Sequence, residues 1–379
     1  MALTDFVIRN YRSARNVWLK LDRMNVIVGP NGCGKSNLYR AVYLMAATAR
    51  GTLAREIAEE GGMPSILWSG DSGGYERGDR FQLSIITDNL QYDIHCGFIP
   101  AELRSMDTMF GNDPEIKLER VQLIKGKSRS EILRRGRNEV KVRTADGKLS
   151  DYTLAVPGNE SVLANLRDPH SYPHLSRLRT ELLGWRFYHQ FRTDQESPLR
   201  KVQPAVFTEL MNHDGSDFVC ALGTIMEAGD GDGLNQAIDE AFPGCRIFFE
   251  ETRRGLKLSF RTPGINRSFD ASEISDGTLH YFCLLAALHS LKPPPVLAIN
   301  EPETSIHPDL FEPLAKLLCR ASLDSQIWVT THSSDLADFI LEYSGCEPIE
   351  LEKVKGETRL VGRGLGGYKE KFDFDEEEE

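Results

Sequence analysis

The chain has 379 residues, 40% of them hydrophobic and 27% charged, with a net charge of −11. This length supports a large core, in one bilobal domain or two smaller ones, and the composition excludes a disordered or fibrous chain. No run of about 18 apolar residues occurs, so no helical membrane span is expected, and the opening MALTDFVIRNYRS lacks the apolar stretch of a signal peptide. A cytoplasmic protein without membrane contact is expected.

In chain order, IRNYRSARNVWLKLDRMNVIVGP reads as two strands, the second at Met24–Val28. A glycine loop follows, then a helix over Ser36–Thr48. Phe81–Ile86 and Gln91–Phe98 alternate about Thr-Asp-Asn, which is a hairpin signal. Further strands are expected at Arg120–Lys125 and Val140–Arg143. Between about 157 and 235 lie short pieces broken by Pro and Gly, with helical stretches at Ser161–Leu166 and Pro173–Leu183. Leu234–Ala241 reads as a helix, and Arg246–Glu251 with Leu256–Phe260 as a hairpin. The last third then alternates: helix at Asp276–Ser290, strand at Val296–Ile299, helix at Asp309–Ala321, strand at Gln326–Thr330, helix at Ser334–Leu341. Such alternation predicts an α/β core, with antiparallel β and helical subdomains beside it. No sustained heptad is present, so no coiled-coil arm is expected. The expected organisation is one bilobal head over 1–363, with lobe I at about 1–200 and lobe II at about 201–363.

Charge is unevenly spread. Lys369–Glu379 holds seven acids against two lysines, and such a run repels itself and buries nothing, so 364–379 is expected to be a disordered acidic tail. Arg120–Arg143 holds nine Lys/Arg against Glu131 and Glu139. The acidic balance of the whole chain therefore does not exclude a nucleic-acid face. The seven cysteines are scattered without a CxxC pair, which favours reduced thiols used as small buried filler.

Gly29-Pro30-Asn31-Gly32-Cys33-Gly34-Lys35-Ser36 fits the P-loop spacing between a strand and a helix. Its glycines let backbone N–H groups approach phosphate oxygens, and the helix start favours an anion. Asn31, Gly32, Cys33, Gly34, Lys35, Ser36 and Asn37 are the candidate nucleotide-binding residues. Lys35 would neutralise β/γ oxygens and the Ser36 hydroxyl would ligate Mg²⁺. Ser275-Asp276-Gly277-Thr278 opens a long helix, where the Ser275 hydroxyl and the Gly277 amide make a second anion site. A γ-phosphate held by another subunit is its expected ligand, although a plain N-cap reads the same way. His332 follows the Gln326–Thr330 strand, and there it can hydrogen-bond a γ-phosphate and an attacking water. His307 reads equally as a subunit contact or a turn residue before Pro308.

These motifs resemble the ABC-type ATPase heads of the RecF/SMC group. IRNYRS is similar to that group's N-terminal strand motif, and NEPETSIHP to its EPE…HP branch. More closely, GGMPSILW, WRFYHQFRTD, SDGTLHYFCLLAAL and NEPETSIHPDL resemble a set of stand-alone bacterial predicted ATPases, a likeness that runs to about Arg363. It implies a P-loop ABC-type ATPase head of two lobes that binds ATP with Mg²⁺ and closes as a homodimer around two ATP. It carries over Lys35, Ser36, Ser275, Glu301 and His332, with Glu301 as the group that activates water. Asn300 stands where that group usually has Asp, though the same Asn also occurs in the stand-alone set. Asn can accept a hydrogen bond from metal-bound water but brings no negative charge. Weaker Mg²⁺ attachment or slow turnover is therefore expected, rather than loss of nucleotide. For the Q-loop glutamine, Gln190 and Gln195 are both candidates.

Two uses of such a dimer are expected alternatives. One is a DNA-engaging ATPase in repair or genome maintenance, gripping duplex phosphates through Arg134, Arg135 and Arg137, with Arg177, Arg179, Arg186, Arg192 and Arg200 as a second basic scatter. The other is an ATP-gated switch that holds a partner effector protein in phage defence, which slow hydrolysis at Asn300 would suit. SDGT is not the SGGQ expected of a transporter ATPase, and too little chain follows His332 for an appended nuclease domain.

Overall fold

The computed structural model describes residues 2–70, 80–100, 108–137, 139–152 and 155–362; the acidic tail expected at 364–379 lies outside them. The first third contains β1 (Leu3–Tyr11), β2 (Ala14–Lys20), β3 (Met24–Val28), α1 (Lys35–Arg50), α2 (Leu53–Glu59), α3 (Met63–Ile66), β4 (Arg80–Thr87), β5 (Leu90–Phe98) and β6 (Pro114–Lys125). Then come β7 (Ser128–Arg135), β8 (Val140–Arg143), β9 (Leu149–Asp151), α4 (Val162–Asn165), α5 (Pro173–Gly184), β10 (Arg186–Tyr188), α6 (Phe218–Ala228) and α7 (Gly231–Ala241). The rest comprises β11 (Arg246–Thr252), β12 (Gly255–Arg261), β13 (Phe269–Asp270), α8 (Asp276–Leu288), β14 (Val296–Asn300), α9 (Phe311–Ala321), β15 (Gln326–Thr330), α10 (Ser334–Ser344), β16 (Ile349–Val354) and β17 (Glu357–Leu360).

These elements divide into two compact units that interleave along the sequence. One comprises Asp22–Asn31 with Thr180–Ile349; the other comprises Leu3–Leu21, Gly32–Arg179 and the chain from Glu350 on. The expected single cut near residue 200 is therefore corrected. The reason is β3: this N-terminal strand pairs in parallel with β15, about 300 residues later, Ile27 opposite Thr330. A parallel neighbour requires a crossover, and here most of the chain intervenes.

In the first unit β10, β14, β15 and β3 form a parallel sheet in that order. β14 and β15 are buried along their whole length, as apolar runs such as VLAIN and QIWVT in a covered parallel sheet should be. α8 is buried from Leu279 to Leu288, so it is a core helix with no amphipathic stripe. Around it Phe242 meets Tyr281, Phe282 and Phe260 edge to face, at centroid distances of 5.5, 5.7 and 6.1 Å, a favoured aromatic geometry. An antiparallel sheet β11-β12-β13 belongs to the same unit.

The second unit is built on an eight-stranded sheet in the order β2-β1-β4-β5-β6-β7-β8-β9, antiparallel at every pairing. The basic segment Arg120–Arg143 thus supplies the end of β6, all of β7 and all of β8. α1 belongs here too. Its Ala-rich interior favours helix, and Gly51 in the left-handed region (φ 79°) closes it by donating to the Ala47 carbonyl at 3.0 Å, a glycine C-cap.

Of the seven cysteines, all free, Cys33, Cys96, Cys220 and Cys283 are buried, and burial pushes the Cys96 and Cys283 thiols up. Among the described residues no helix is long and apolar enough to cross a membrane.

Candidate functional site

The boundary between the units falls inside the glycine loop, after Asn31. On the second unit's side, Gly32 has φ 78°, and a Cβ built there would meet no atom within 4 Å. Open space beside a left-handed backbone is the cradle a phosphate group needs. Gly34 (φ 114°) is required for a different reason: a Cβ there would sit 2.1 Å from Thr358 Oγ1. That hydroxyl belongs to β17 and supports the loop from beneath, donating to the Cys33 carbonyl at 2.7 Å and lying 2.7 Å from Ser13 Oγ. Asn37 continues the support, donating from Nδ2 to Ser13 Oγ (2.7 Å) and accepting at Oδ1 from Arg12 (3.3 Å). Arg12 and Arg40 both pair with Glu60, at 2.7 and 2.8 Å.

The Cys33 side chain is 1% exposed and its carbonyl is held by Thr358, while the Asn37 side chain is engaged with Ser13 and Arg12. Lys35 is buried and Ser36 exposed at the start of α1, whose first turn carries no acid to offset the positive end of the helix dipole. This donor set fits a polyphosphate, with the Ser36 hydroxyl available to Mg²⁺.

The first unit presents the carboxyl ends of parallel strands, where open α/β sheets bind ligands. β3 runs there into Gly29–Asn31. Asn300 ends β14 opposite Thr330 at the end of β15, and the Thr330 hydroxyl donates to Asn300 Oδ1 at 2.8 Å. Glu301 follows with φ 48°, its N–H donating to the Thr330 carbonyl at 2.7 Å. A glutamate held left-handed stores about 1 kcal/mol or more of strain, which clusters at functional sites. Two residues on, Glu303 is 5% exposed, its Oε1 accepts from Thr331 Oγ1 (2.6 Å) and the His332 N–H (3.0 Å), and His332 Nδ1 lies 3.1 Å from it. His332 follows β15 with its side chain 49% exposed. Asn300, Glu301 and His332 are therefore gathered at one edge. Glu303, which sequence reasoning passed over, joins them; its only signal there was a second acid two residues after the first.

Ser275 caps α8 by accepting from the Thr278 N–H at 3.3 Å, and its Oγ lies 2.8 Å from Thr278 Oγ1. A Cβ on Gly277 would meet the Ser305 carbonyl oxygen at 2.3 Å, so this glycine lets the helix start against the loop that follows β14. The other missed residue is Arg200, taken from sequence as one of a basic scatter. It donates to the carbonyls of Thr193 (2.8 Å), Ala271 (3.0 Å) and Ile274 (2.6 Å) and pairs with Asp276 at 2.5 Å. It therefore braces the turn before Ser275. Gln190 lies two residues past β10, at the same carboxyl edge as Asn300, whereas Gln195 is in a later loop; both are exposed. His307 is exposed and caps the turn at Pro308 by accepting from the Asp309 N–H at 3.3 Å.

The basic segment is corrected in one place. Arg134 and Arg137 are exposed, but Arg135 is 5% exposed. It donates to the carbonyls of Glu160 and Pro157 and lies 3.8 Å from the buried Glu119. Strand alternation turns it inward while Arg134 faces out. Arg120, Arg129 and Arg143 are also engaged, with Asp93, with Gln91, and with the Glu131 and Gly147 carbonyls.

A parallel α/β sheet with a glycine loop, an Asn-Glu strand end and a capped signature helix defines a P-loop ATPase head of the ABC/SMC type. The chain belongs to the family described as "AAA domain, putative AbiEii toxin, Type IV TA system", matched over residues 24–338. No curated protein matches it in sequence. Among solved structures it is similar to an Smc head bound to the C-winged helix domain of ScpA, with a TM-score of 0.53 at 13% identity, covering 95% of this chain and 98% of that one. A Smc head domain with an extended coiled coil, bound to the C-terminal domain of ScpA derived from Pyrococcus furiosus, gives 0.53 at 11% identity over 95% and 96%. The SMC head domain from Thermotoga maritima gives 0.46 at 15%, over 95% and 98%. At these identities the likeness establishes the fold, an SMC-head-like P-loop ATPase fold.

Proposed function

We propose that this chain is a stand-alone bacterial ATPase of the cytoplasm that binds and slowly hydrolyses ATP, two copies closing head to head around two ATP molecules, and that the closed dimer acts on DNA in repair or genome maintenance. One observation carries the catalytic reading: Glu301 and His332 share the carboxyl edge of β14 and β15, Glu301 held in a left-handed conformation. Lys35 and the first amides of α1 bind the phosphates. Ser36, and Asn300 through a water, would hold Mg²⁺, which supplies charge neutralisation at the β/γ oxygens when bound. Glu301 takes a proton from the attacking water as general base, assisted by His332. Asn300 contributes an amide oxygen already hydrogen-bonded by Thr330, so the edge has one negative charge fewer than an Asp-Glu pair. Slow turnover follows from that. The exposed Ser275 and the amide of Gly277, in the first turn of α8, reach the γ-phosphate of the second copy. Arg134 and Arg137 are exposed for duplex phosphates.

A second reading is favoured by Asn300 and by the toxin–antitoxin wording of the family description. In it the slow dimer is a switch that holds a partner effector protein in phage defence. ATPase rate and sedimentation with ATP and Mg²⁺, with and without duplex DNA, test both. A monomer with no turnover overturns the dimer reading. Stimulation by DNA supports the first use, and unchanged turnover with DNA the second.

A further inference from the structure

Glu303 has no role in the reading above, yet its carboxylate is buried at the same edge. Its Oε1 accepts from the Thr331 hydroxyl and the His332 N–H, and the ring nitrogen Nδ1 of His332 lies 3.1 Å from the same oxygen. Its Oε2 is buried and has no hydrogen-bond partner. A carboxylate taken out of water is expensive unless its donors replace that water. Thr331 and the backbone N–H alone would serve for shaping the loop. The third contact is different, because it reaches the ring of the same residue whose backbone it already holds. One oxygen thereby fixes both the position and the rotation of the imidazole.

We infer that Glu303 is a positioning residue that fixes His332 as the Nδ1–H tautomer and directs its Nε2 lone pair to the attacking water. An ionised carboxylate is acceptor-only, so the nitrogen facing it must carry the proton. The neutral ring then has a single lone pair, at Nε2, which has no partner among the described residues. A phosphate oxygen has no proton to give that lone pair, and a water does. The neutral histidine is therefore selective for the nucleophile over the phosphate, and its alignment relies on a carboxylate that touches no substrate. The catalytic half of this inference rests on the ATPase reading; the tautomer half does not.

Nitrogen-15 spectra of the full chain labelled at histidine test it, with the His332 signals assigned by their loss in His332→Ala. The expected pattern is a protonated Nδ1 and an unprotonated Nε2, moving toward protonated Nε2 in Glu303→Ala and retained in Glu303→Gln, whose amide oxygen still accepts. In turnover, Glu303→Ala should lower kcat about 10–100-fold, by analogy with the range for losing the hydrogen-bond partner of a metal-ligating histidine, with the Kd for ATP within about twofold. Glu303→Gln should recover most of that loss, and Glu303→Ala should add little to His332→Ala. A wild-type Nε2–H tautomer, or losses that multiply in the double variant, overturns the proposal. The wild-type spectrum decides it even where Glu303→Ala fails to fold. A chain that turns over no ATP but shows the Nδ1–H tautomer refutes the ATPase reading alone.

Discussion

Replacing Arg135 by Ala separates a structural arginine from its basic neighbours. Its guanidinium serves the carbonyls of Glu160 and Pro157 and faces Glu119, which is fully buried. Each orphaned buried carbonyl is worth about 1–3 kcal/mol, and removing one partner of a buried ion pair about 3–5 kcal/mol. These losses do not add in full. Glu119 keeps bonds from Ser161, Tyr92 and the Val162 N–H, and burial already pushes its pKa up, so it can protonate once the cation has gone. A net loss of about 3–5 kcal/mol is expected, a large share of the roughly 5–15 kcal/mol that holds a typical protein folded. Charge reversal at the exposed Arg134 and Arg137 should change stability by about 0.5 kcal/mol or less. If the proposed duplex contact is real, the double reversal should flatten the salt dependence of binding by about two phosphates' worth. Urea melts and duplex titrations between about 50 and 200 mM salt measure both. An Arg135→Ala protein that melts like wild type yet binds duplex weakly would refute the reasoning, because Arg135 would then be a surface contact.

Three further outcomes are expected. Gly277→Ala forces a Cβ to 2.3 Å from the Ser305 carbonyl; overpacking of this kind costs about 1–3 kcal/mol, and ATPase should fall at least tenfold while nucleotide binding, read by a fluorescent analogue, persists. Thr358→Val removes the hydroxyl that supports the Cys33 carbonyl, and about 1–2 kcal/mol of lost support should raise the Kd for ATP roughly 5–30-fold by calorimetry. Acid should destabilise the fold through His95 and His280. Burial holds the first at about 3, helped by Arg80, Arg120 and Arg9, and holds the second at about 4. Both stay neutral when folded and bind protons near 6.5 when unfolded, so stability is full above that value and declines as pH falls through it. Each contributes a loss of about 2 kcal/mol between pH 7 and 5, and His95→Leu should remove its share of the shift in the urea midpoint; an identical shift in the variant would exclude His95 as the cause.

The parallel core was well legible in the sequence, for a physical reason. A short apolar run that ends in Gly or Thr leaves a buried strand little freedom in where it stops, and the strands at Met24–Val28 and Gln326–Thr330 have the expected bounds. The hairpins at Phe81–Phe98 and Arg246–Phe260 were legible from alternation. α6 was not, because FVCALGTIMEA is apolar nearly all round and has no polar stripe to reveal its period. β16 and β17 are short and charged, and β17 matters only because Thr358 meets the glycine loop, a contact between residues 325 apart in sequence. No local pattern announces such a partner. Arg135 shows the same limit: a strand's charge count is visible in sequence, but a β-bulge between Val121 and Gln122 and the burial of one face are not.

The segment from Glu301 to Ile306 joins features that sequence places far apart. At one end Glu301 is tied to Thr330 through its N–H. In the middle Glu303 holds Thr331 and His332. At the other end the Ser305 carbonyl, in a residue at φ 65°, lies against Gly277 at the start of α8. Within this segment the Thr304 and Ile306 N–H groups bond back to the Glu301 and Glu303 carbonyls at 3.0 and 3.1 Å, so it is a pair of locked turns rather than a loose loop. Glu301 lies in this segment, and His332 and Gly277 meet it at Glu303 and Ser305. Its two turn hydrogen bonds hold Glu301 and Ser305 at their left-handed backbone angles.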